Sequence, residues 1–301
     1  MSRGLSRSRF VASAGVGLAA SMLGLLGGQA APAGASSGQA KGPVDVLYAG
    51  SLVTMMEEGI GPAFEGTTGY SYSGFSGGSD ALAADIKGRT ELADVFISAS
   101  PAVNATLEGS ANGSWVSWYA TFASSPLVIG YNPSSSFASQ LTSKPWYEVV
   151  TEPGFLLGRT NPATDPKGKL AVEALDQAAT AGDLPALSQL AQSTDGVYPE
   201  ETLVGRLQSG QLDAGFFYAS EAAAAGIPTI SLGAVHLYAQ YTVTVLARAP
   251  HPRAAAAFVT FFLGHQGRAI LRHDGLSLFV PPKVVGAKHV PASLRSPFGL
   301  R

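Results

Sequence analysis

Hydrophobic and polar positions change period several times along this chain, and each change marks an element. Val44-Asp45-Val46-Leu47-Tyr48 is a short apolar run ending at Ala49-Gly50-Ser51, and predicts a buried strand. Leu52, Met55, Met56 and Phe64 then recur at helical spacing, so a helix is expected over Leu52–Phe64. Tyr70-Ser71-Tyr72-Ser73 alternates and predicts a second strand, followed by a Gly/Ser loop and a short helix carrying Leu82 and Ile86. Further strands are expected at Ala93–Ser98, Tyr119–Tyr131, Phe155–Gly158, Asp213–Tyr218, Ile227–Leu232 and Tyr241–Leu246. Helices are expected at Pro101–Glu108, Lys169–Ala181, Glu200–Gln208, Pro252–Leu263 and Gln266–His273, with Arg159–Gly168 as a polar loop. Strands alternating with helices argue for an α/β fold with mostly parallel sheets.

The stretch Gly74-Phe75-Ser76-Gly77-Gly78-Ser79-Asp80 organises the reading of function. A strand that feeds a Gly/Ser loop and then a helix N-terminus, with Ser79 or Asp80 as N-cap, makes an anion site from free N–H groups and the helix dipole. The arrangement occurs a second time at Ser51, so two helix starts could face one small anion. No Lys or Arg falls between Met55 and Lys87, so the donors on this side are neutral. Two other readings fit the same residues. Gly74-x-Ser76-x-Gly78 matches the nucleophile elbow of a serine hydrolase, with Ser76 as nucleophile. A flexible surface turn is the plainer possibility.

Composition changes the picture at the N-terminus. Arg3, Arg7 and Arg9 precede an apolar run over Val11–Leu26, and Ala-x-Ala-like sites follow at Ala31–Ala35. This predicts a signal peptide over residues 1–35 and an extracytoplasmic protein. The full chain has nineteen basic and twenty-one acidic residues; without the leader, sixteen basic residues remain and the net charge falls to about −5. Nucleic acid is a poor partner for that balance. With no cysteine, disulfides, thiolate metal sites and a lipid-modified thioether are excluded.

At this point the chain resembles a known family, the molybdate/tungstate-binding proteins of ABC importers, within the class II solute-binding superfamily. The matching stretches are Tyr48-Ala49-Gly50-Ser51-Leu52, Ser79 with Leu82-Ala83 and Ile86, Ala93–Ala99, Gly158–Pro162, Asp165-Pro166-Lys167-Gly168 and Leu212–Tyr218. The resemblance implies a two-lobe periplasmic-binding-protein fold with a ligand cleft between the lobes. It implies one lobe over 44–123 plus 242–301 and another over 124–241. It also implies an oxyanion held by the hydroxyls of Ser51, Ser79 and Tyr218 and by backbone N–H groups near Gly158 and Asp165. Archaeal members add two carboxylates to the metal centre; one matches Asp165, and the other falls on Phe217. Glu221 reads as a helix-start acid rather than a ligand. The implied protein is a monomer without cofactor or catalysis, delivering molybdate or tungstate to a membrane ABC permease, with sulfate as the alternative ligand.

The other classes have less behind them. A hydrolase needs a histidine, and His236, His251, His265, His273 and His289 stand in no distinctive loop motif. An iron(III) site would draw on Tyr72, Tyr119, Tyr131, Tyr218, Tyr238 and Tyr241, none of them adjacent in sequence. Asn104-Ala105-Thr106 and Asn112-Gly113-Ser114 are glycosylation sequons by pattern alone.

Overall fold

The computed structural model describes residues 41–301, so the expected leader lies outside the described residues. Ten strands form: β1 Pro43–Ala49, β2 Ser71–Gly77, β3 Val95–Ser98, β4 Tyr119–Tyr131, β5 Leu157–Thr160, β6 Val197–Tyr198, β7 Ala214–Tyr218, β8 Thr229–Ser231, β9 Tyr238–Val245 and β10 Ser277–Val285. The α-helices are α1 Gly61–Thr68, α2 Ser79–Gly88, α3 Pro101–Ala105, α4 Ala138–Leu141, α5 Trp146–Val149, α6 Pro166–Gly182, α7 Pro185–Gln192, α8 Leu203–Gln208, α9 Ala219–Ala224, α10 Pro252–Phe262 and α11 His265–His273. Among the described residues, no helix is long and apolar enough to cross a membrane.

β1 is apolar apart from the half-buried Asp45, because both its faces are covered from Val46 onward. Val44, Val46 and Tyr48 enter the main core with Phe64 and Phe258, while Leu47 enters a second cluster with Leu82, Ile86 and Phe96. It pairs in parallel with β2 on one side and β3 on the other. The sheets are mixed rather than mostly parallel: β9 returns between β3 and β4 and is antiparallel to both, and β4 is antiparallel to β7, β8 and β10.

β4 joins two halves of the molecule. Its residues Ala120–Pro126 pair with β9, and Leu127–Tyr131 pair with β7. The partner changes at Pro126, which has no N–H to give a ladder. The strand order β2-β1-β3-β9-β4 therefore makes one half, and β4-β7-β5-β6 the other.

The structure differs locally from the sequence reading at several points. Pairing of β2 with β1 continues as far as Ala49↔Gly77, so Gly74–Gly77 is strand and the loop shrinks to Gly78. Gly78, in extended backbone, stands in the N-cap position, with Ser79 the first residue of α2. After β1 the chain forms a 3-10 turn over Gly50–Leu52 and a π-helical segment over Met55–Ile60 before α1, where Gly59, Gly61 and Pro62 weaken a regular ladder. α6 starts at Pro166 rather than Lys169, because Asp165 caps it: Asp165 Oδ1 accepts from Lys167 N at 3.0 Å, and Pro suits the first helical position. β5 shifts two residues to Leu157–Thr160. β10 has no counterpart in the sequence reading; Pro281 and Pro282 fall where its register against β4 breaks, between Leu278 and Lys283.

Candidate functional site

β1 and β2 each run in parallel to a C-terminal end that turns at once into helix. Those two turns carry Ser51 and Ser79, both buried. Ser79 Oγ accepts from Ala99 N at 3.1 Å, which leaves its hydrogen to give. Ser51 Oγ lies 2.9 Å from Tyr241 Oη. In the first turn of α2, Ala81 N donates to Thr164 O at 3.1 Å, across to the loop before α6. The N–H groups of Ser79 and Asp80 have no intrahelical partner and make no hydrogen bond among the described residues.

The facing side comes from the C-terminal ends of β5 and β7. Tyr218 ends β7; it is 1% exposed, and its hydroxyl is buried with no partner. An orphaned buried hydroxyl costs roughly 1–3 kcal/mol, so a group that accepts from it would recover that cost. Burial holds the Tyr218 phenol well above its usual range, with Asp165, Tyr241 and the nearby glutamates adding to the shift, so it stays a donor at neutral pH.

Two expected positions differ in what they offer. Gly158 lies inside β5 opposite Gly215, and a side chain there would meet Leu212 and Leu203. Asp165 N donates to Asn161 O at 2.9 Å, so that N–H is spent within the loop. The Asp165 carboxylate is buried and accepts from Thr160 Oγ1 at 2.8 Å as well as capping α6. Burial pushes this carboxyl up, with Lys167 opposing.

The sequence reading missed a charged cluster on this side. Lys167 is 1% exposed. Its Nζ lies 2.6 and 2.7 Å from the two carboxylate oxygens of Glu221 and 3.2 Å from Glu200 Oε1. All three ammonium hydrogens are thereby matched with acceptors. Burial alone would push this lysine down, but Glu221, Glu200 and Asp165 together raise it, so it stays charged. Burial pushes Glu200 up to about 8, opposed by Lys167 and reinforced by Glu221 and Asp165. Glu221 is the helix-start acid expected of it, with Oε2 accepting from Tyr218 N at 3.2 Å, and it is also the main partner of Lys167. Among the described residues, the buried cations lie on this side and not beside Ser51 and Ser79. With the helix expected only from Lys169, nothing local marked Lys167; its partners lie 33 and 54 residues away.

Phe217, in place of a second carboxylate, is buried with Leu203, Leu212 and Ile227. Ser76 sits within β2 opposite Tyr48 rather than on an elbow, and the cavity of about 110 Å³ that it lines with Ser51, Glu200 and Glu221 contains no histidine. Asn104 of the first sequon is fully buried and donates from Nδ2 to Thr242 Oγ1 at 2.8 Å. Of the tyrosines, Tyr218 and Tyr241 meet in space, with ring centroids 6.0 Å apart.

Comparison with known proteins bears on this arrangement. The family model described as "Bacterial extracellular solute-binding protein" matches residues 44–277. A Haloferax volcanii protein named "Putative ABC transporter molybdenum-binding protein" is 33% identical over 232 residues, covering 76% of this chain and 70% of that one. The molybdate/tungstate-binding protein of Pyrococcus abyssi is 25% identical over 233 residues, 60% of this chain and 67% of that one. Among solved structures, the periplasmic molybdate-binding protein of Azotobacter vinelandii superposes with a TM-score of 0.61 at 19% identity, covering 78% of this chain and 99% of its own. The sulfate-binding protein of Mycobacterium tuberculosis gives 0.60 at 15% identity, covering 86% and 96%. The expected two-lobe fold is the one shared with these structures.

Proposed function

Because the chain belongs to the bacterial extracellular solute-binding protein family, we propose that it captures a tetrahedral oxyanion of the molybdate or tungstate type outside the membrane and delivers it to an ABC permease. The lobes are 44–123 plus 242–301, and 124–241, closing about the strands β4 and β9. The anion lies between them, taking hydroxyl hydrogens from Ser51 and Ser79 on one side and Tyr218 on the other, aided by the N–H groups of Ser79 and Asp80. Neither Gly158 nor the Asp165 N–H is used in this reading. The protein carries out no chemistry on the ligand, and Ser76 is a bystander.

The observation that carries the reading is the orphaned Tyr218 hydroxyl, buried and linked through the Tyr241 ring to the buried Ser51. A desolvated dianion is stable only when hydrogen-bonded all round, and hydroxyl and N–H donors to a charged acceptor give the strong kind of bond. Relatives named as molybdenum- and molybdate/tungstate-binding proteins support the choice of anion.

The test is calorimetric titration of Ser51→Ala, Ser79→Ala and Tyr218→Phe with molybdate. Each loses one donor to a charged group, an expected cost of about 1.5–3 kcal/mol, or roughly ten- to a hundredfold in affinity. Ser76→Ala should bind as the wild type does. Neutral outcomes for both Ser51→Ala and Ser79→Ala would refute the site.

A further inference from the structure

Tyr241 touches a proposed donor from each side of the cleft. It lies in β9 and is fully buried. Its hydroxyl is 2.9 Å from Ser51 Oγ. Its ring stands edge-on to Tyr218, centroids 6.0 Å apart with an interplanar angle of 76°. The Ser220 hydroxyl, buried and without a partner in hydrogen-bonding geometry, also bears on the Tyr241 phenol.

A serine hydroxyl has one hydrogen and two lone pairs. Either Ser51 or Tyr241 can be the donor in their contact. An anion at Ser51 settles the direction, because the Ser51 hydrogen must go to the anion. Tyr241 must then donate to a Ser51 lone pair. Burial raises the Tyr241 phenol above its usual range, with Glu221 adding and the Ser51 and Ser220 hydroxyls opposing, so the hydrogen needed for that donation is retained across the neutral range.

We propose that Tyr241 is a positioning residue for oxyanion capture: it donates to Ser51 Oγ across the cleft, so that the Ser51 hydrogen is aimed at the ligand, and its ring packs edge-on against Tyr218. This rests on the reading of Ser51 and Tyr218 as donors. Tyr241 itself makes no contact with the anion. Its effect therefore passes through Ser51, which a purely packing role would not require.

The experiment is a double-mutant cycle read by calorimetric titration with molybdate, with melting temperatures alongside. Tyr241→Phe keeps the ring and removes only the hydroxyl. In the wild-type background it should weaken molybdate binding about three- to tenfold, the range for loss of one neutral hydrogen bond. In the Ser51→Ala background the same change should alter affinity less than twofold. Equal losses in both backgrounds would overturn the proposal, since Tyr241 would then act independently of Ser51. A costly Ser51→Ala with a neutral Tyr241→Phe would overturn it while leaving the site intact. A neutral Ser51→Ala, or no molybdate binding by the wild type, would overturn the functional reading and this inference together.

Discussion

The two walls of the cleft solve the same problem with different chemistry. The wall built on β1, β2 and α2 presents serine hydroxyls and helix N-termini and no buried cation. The wall built on β5, β7, α6 and α9 presents a tyrosine hydroxyl beside a buried lysine clamped by two glutamates. The first wall is assembled from short strand-to-helix turns, so the backbone that carries each donor is set locally, while the hydroxyls themselves meet Tyr241 and the Ala99 N–H from further along the chain. The second depends on pairs 33 and 54 residues apart in the chain. A small anion needs donors from both walls, but only the second has buried charge at stake. Removing a donor from either wall should therefore change binding, and perturbing the buried charges of the second should also change stability and its pH dependence.

The sharpest way to break that division is at the point where the walls touch. A Cβ on Gly78 would lie 2.5 Å from Thr164 O and 3.2 Å from Asp165 Cβ, both across the cleft. Its backbone, at φ −60° and ψ 129°, is one that alanine adopts freely. Gly78→Ala should thus spare the fold and obstruct closure. Losing the far wall's contact removes the Tyr218 donor to a charged group. The expected cost is about 1.5–3 kcal/mol, or roughly ten- to a hundredfold in molybdate affinity, with an unchanged melting temperature in the absence of ligand. Wild-type affinity in Gly78→Ala would show that this contact is not part of the bound state.

Lys167→Met tests the other wall. It strands two carboxylates whose partner is buried, a loss of about 3–5 kcal/mol that should appear as a melting point roughly 10 °C lower. Stability equal to wild type would mean that the cluster is not held closed as described.

Glu200 sharpens the comparison through pH. Burial places its carboxyl near 8 in the folded protein against an ordinary value of 4.5. Between those values the folded chain keeps a proton that the unfolded chain releases, so this group's contribution is full below about 4.5 and is lost as pH rises to about 8. Urea unfolding of the wild type should show that decline, and Glu200→Gln should flatten it. An identical pH slope in the two proteins would contradict the assignment.

The same contrast explains what the sequence could reveal. β1, with every residue buried from Val46 to Ala49, and β4, found over the expected Tyr119–Tyr131, carry their pattern locally. The positions of Ser51, Ser79 and Tyr218 at strand-to-helix turns were legible from the strand patterns before them. The reach of β2 through Gly74–Gly77 was hidden, since only pairing with β1 holds a Gly/Ser stretch extended. β10 was hidden by its two prolines, and Lys167 by partners that lie far away in the chain. Asp165 was legible as a loop acid but not as the cap of α6, because Pro166 read as a turn when it is the first residue of a helix.

The most direct measurement is calorimetric titration of the purified mature protein with molybdate, tungstate, sulfate and phosphate at neutral pH. A cleft lined by hydroxyl and N–H donors should bind molybdate and tungstate at one site per chain. Sulfate, of the same charge, should bind more weakly, and phosphate, which carries hydrogen near neutral pH, weakest. Heat of binding for none of the four, or phosphate bound most tightly, would contradict the capture of a fully deprotonated tetrahedral oxyanion between the two walls.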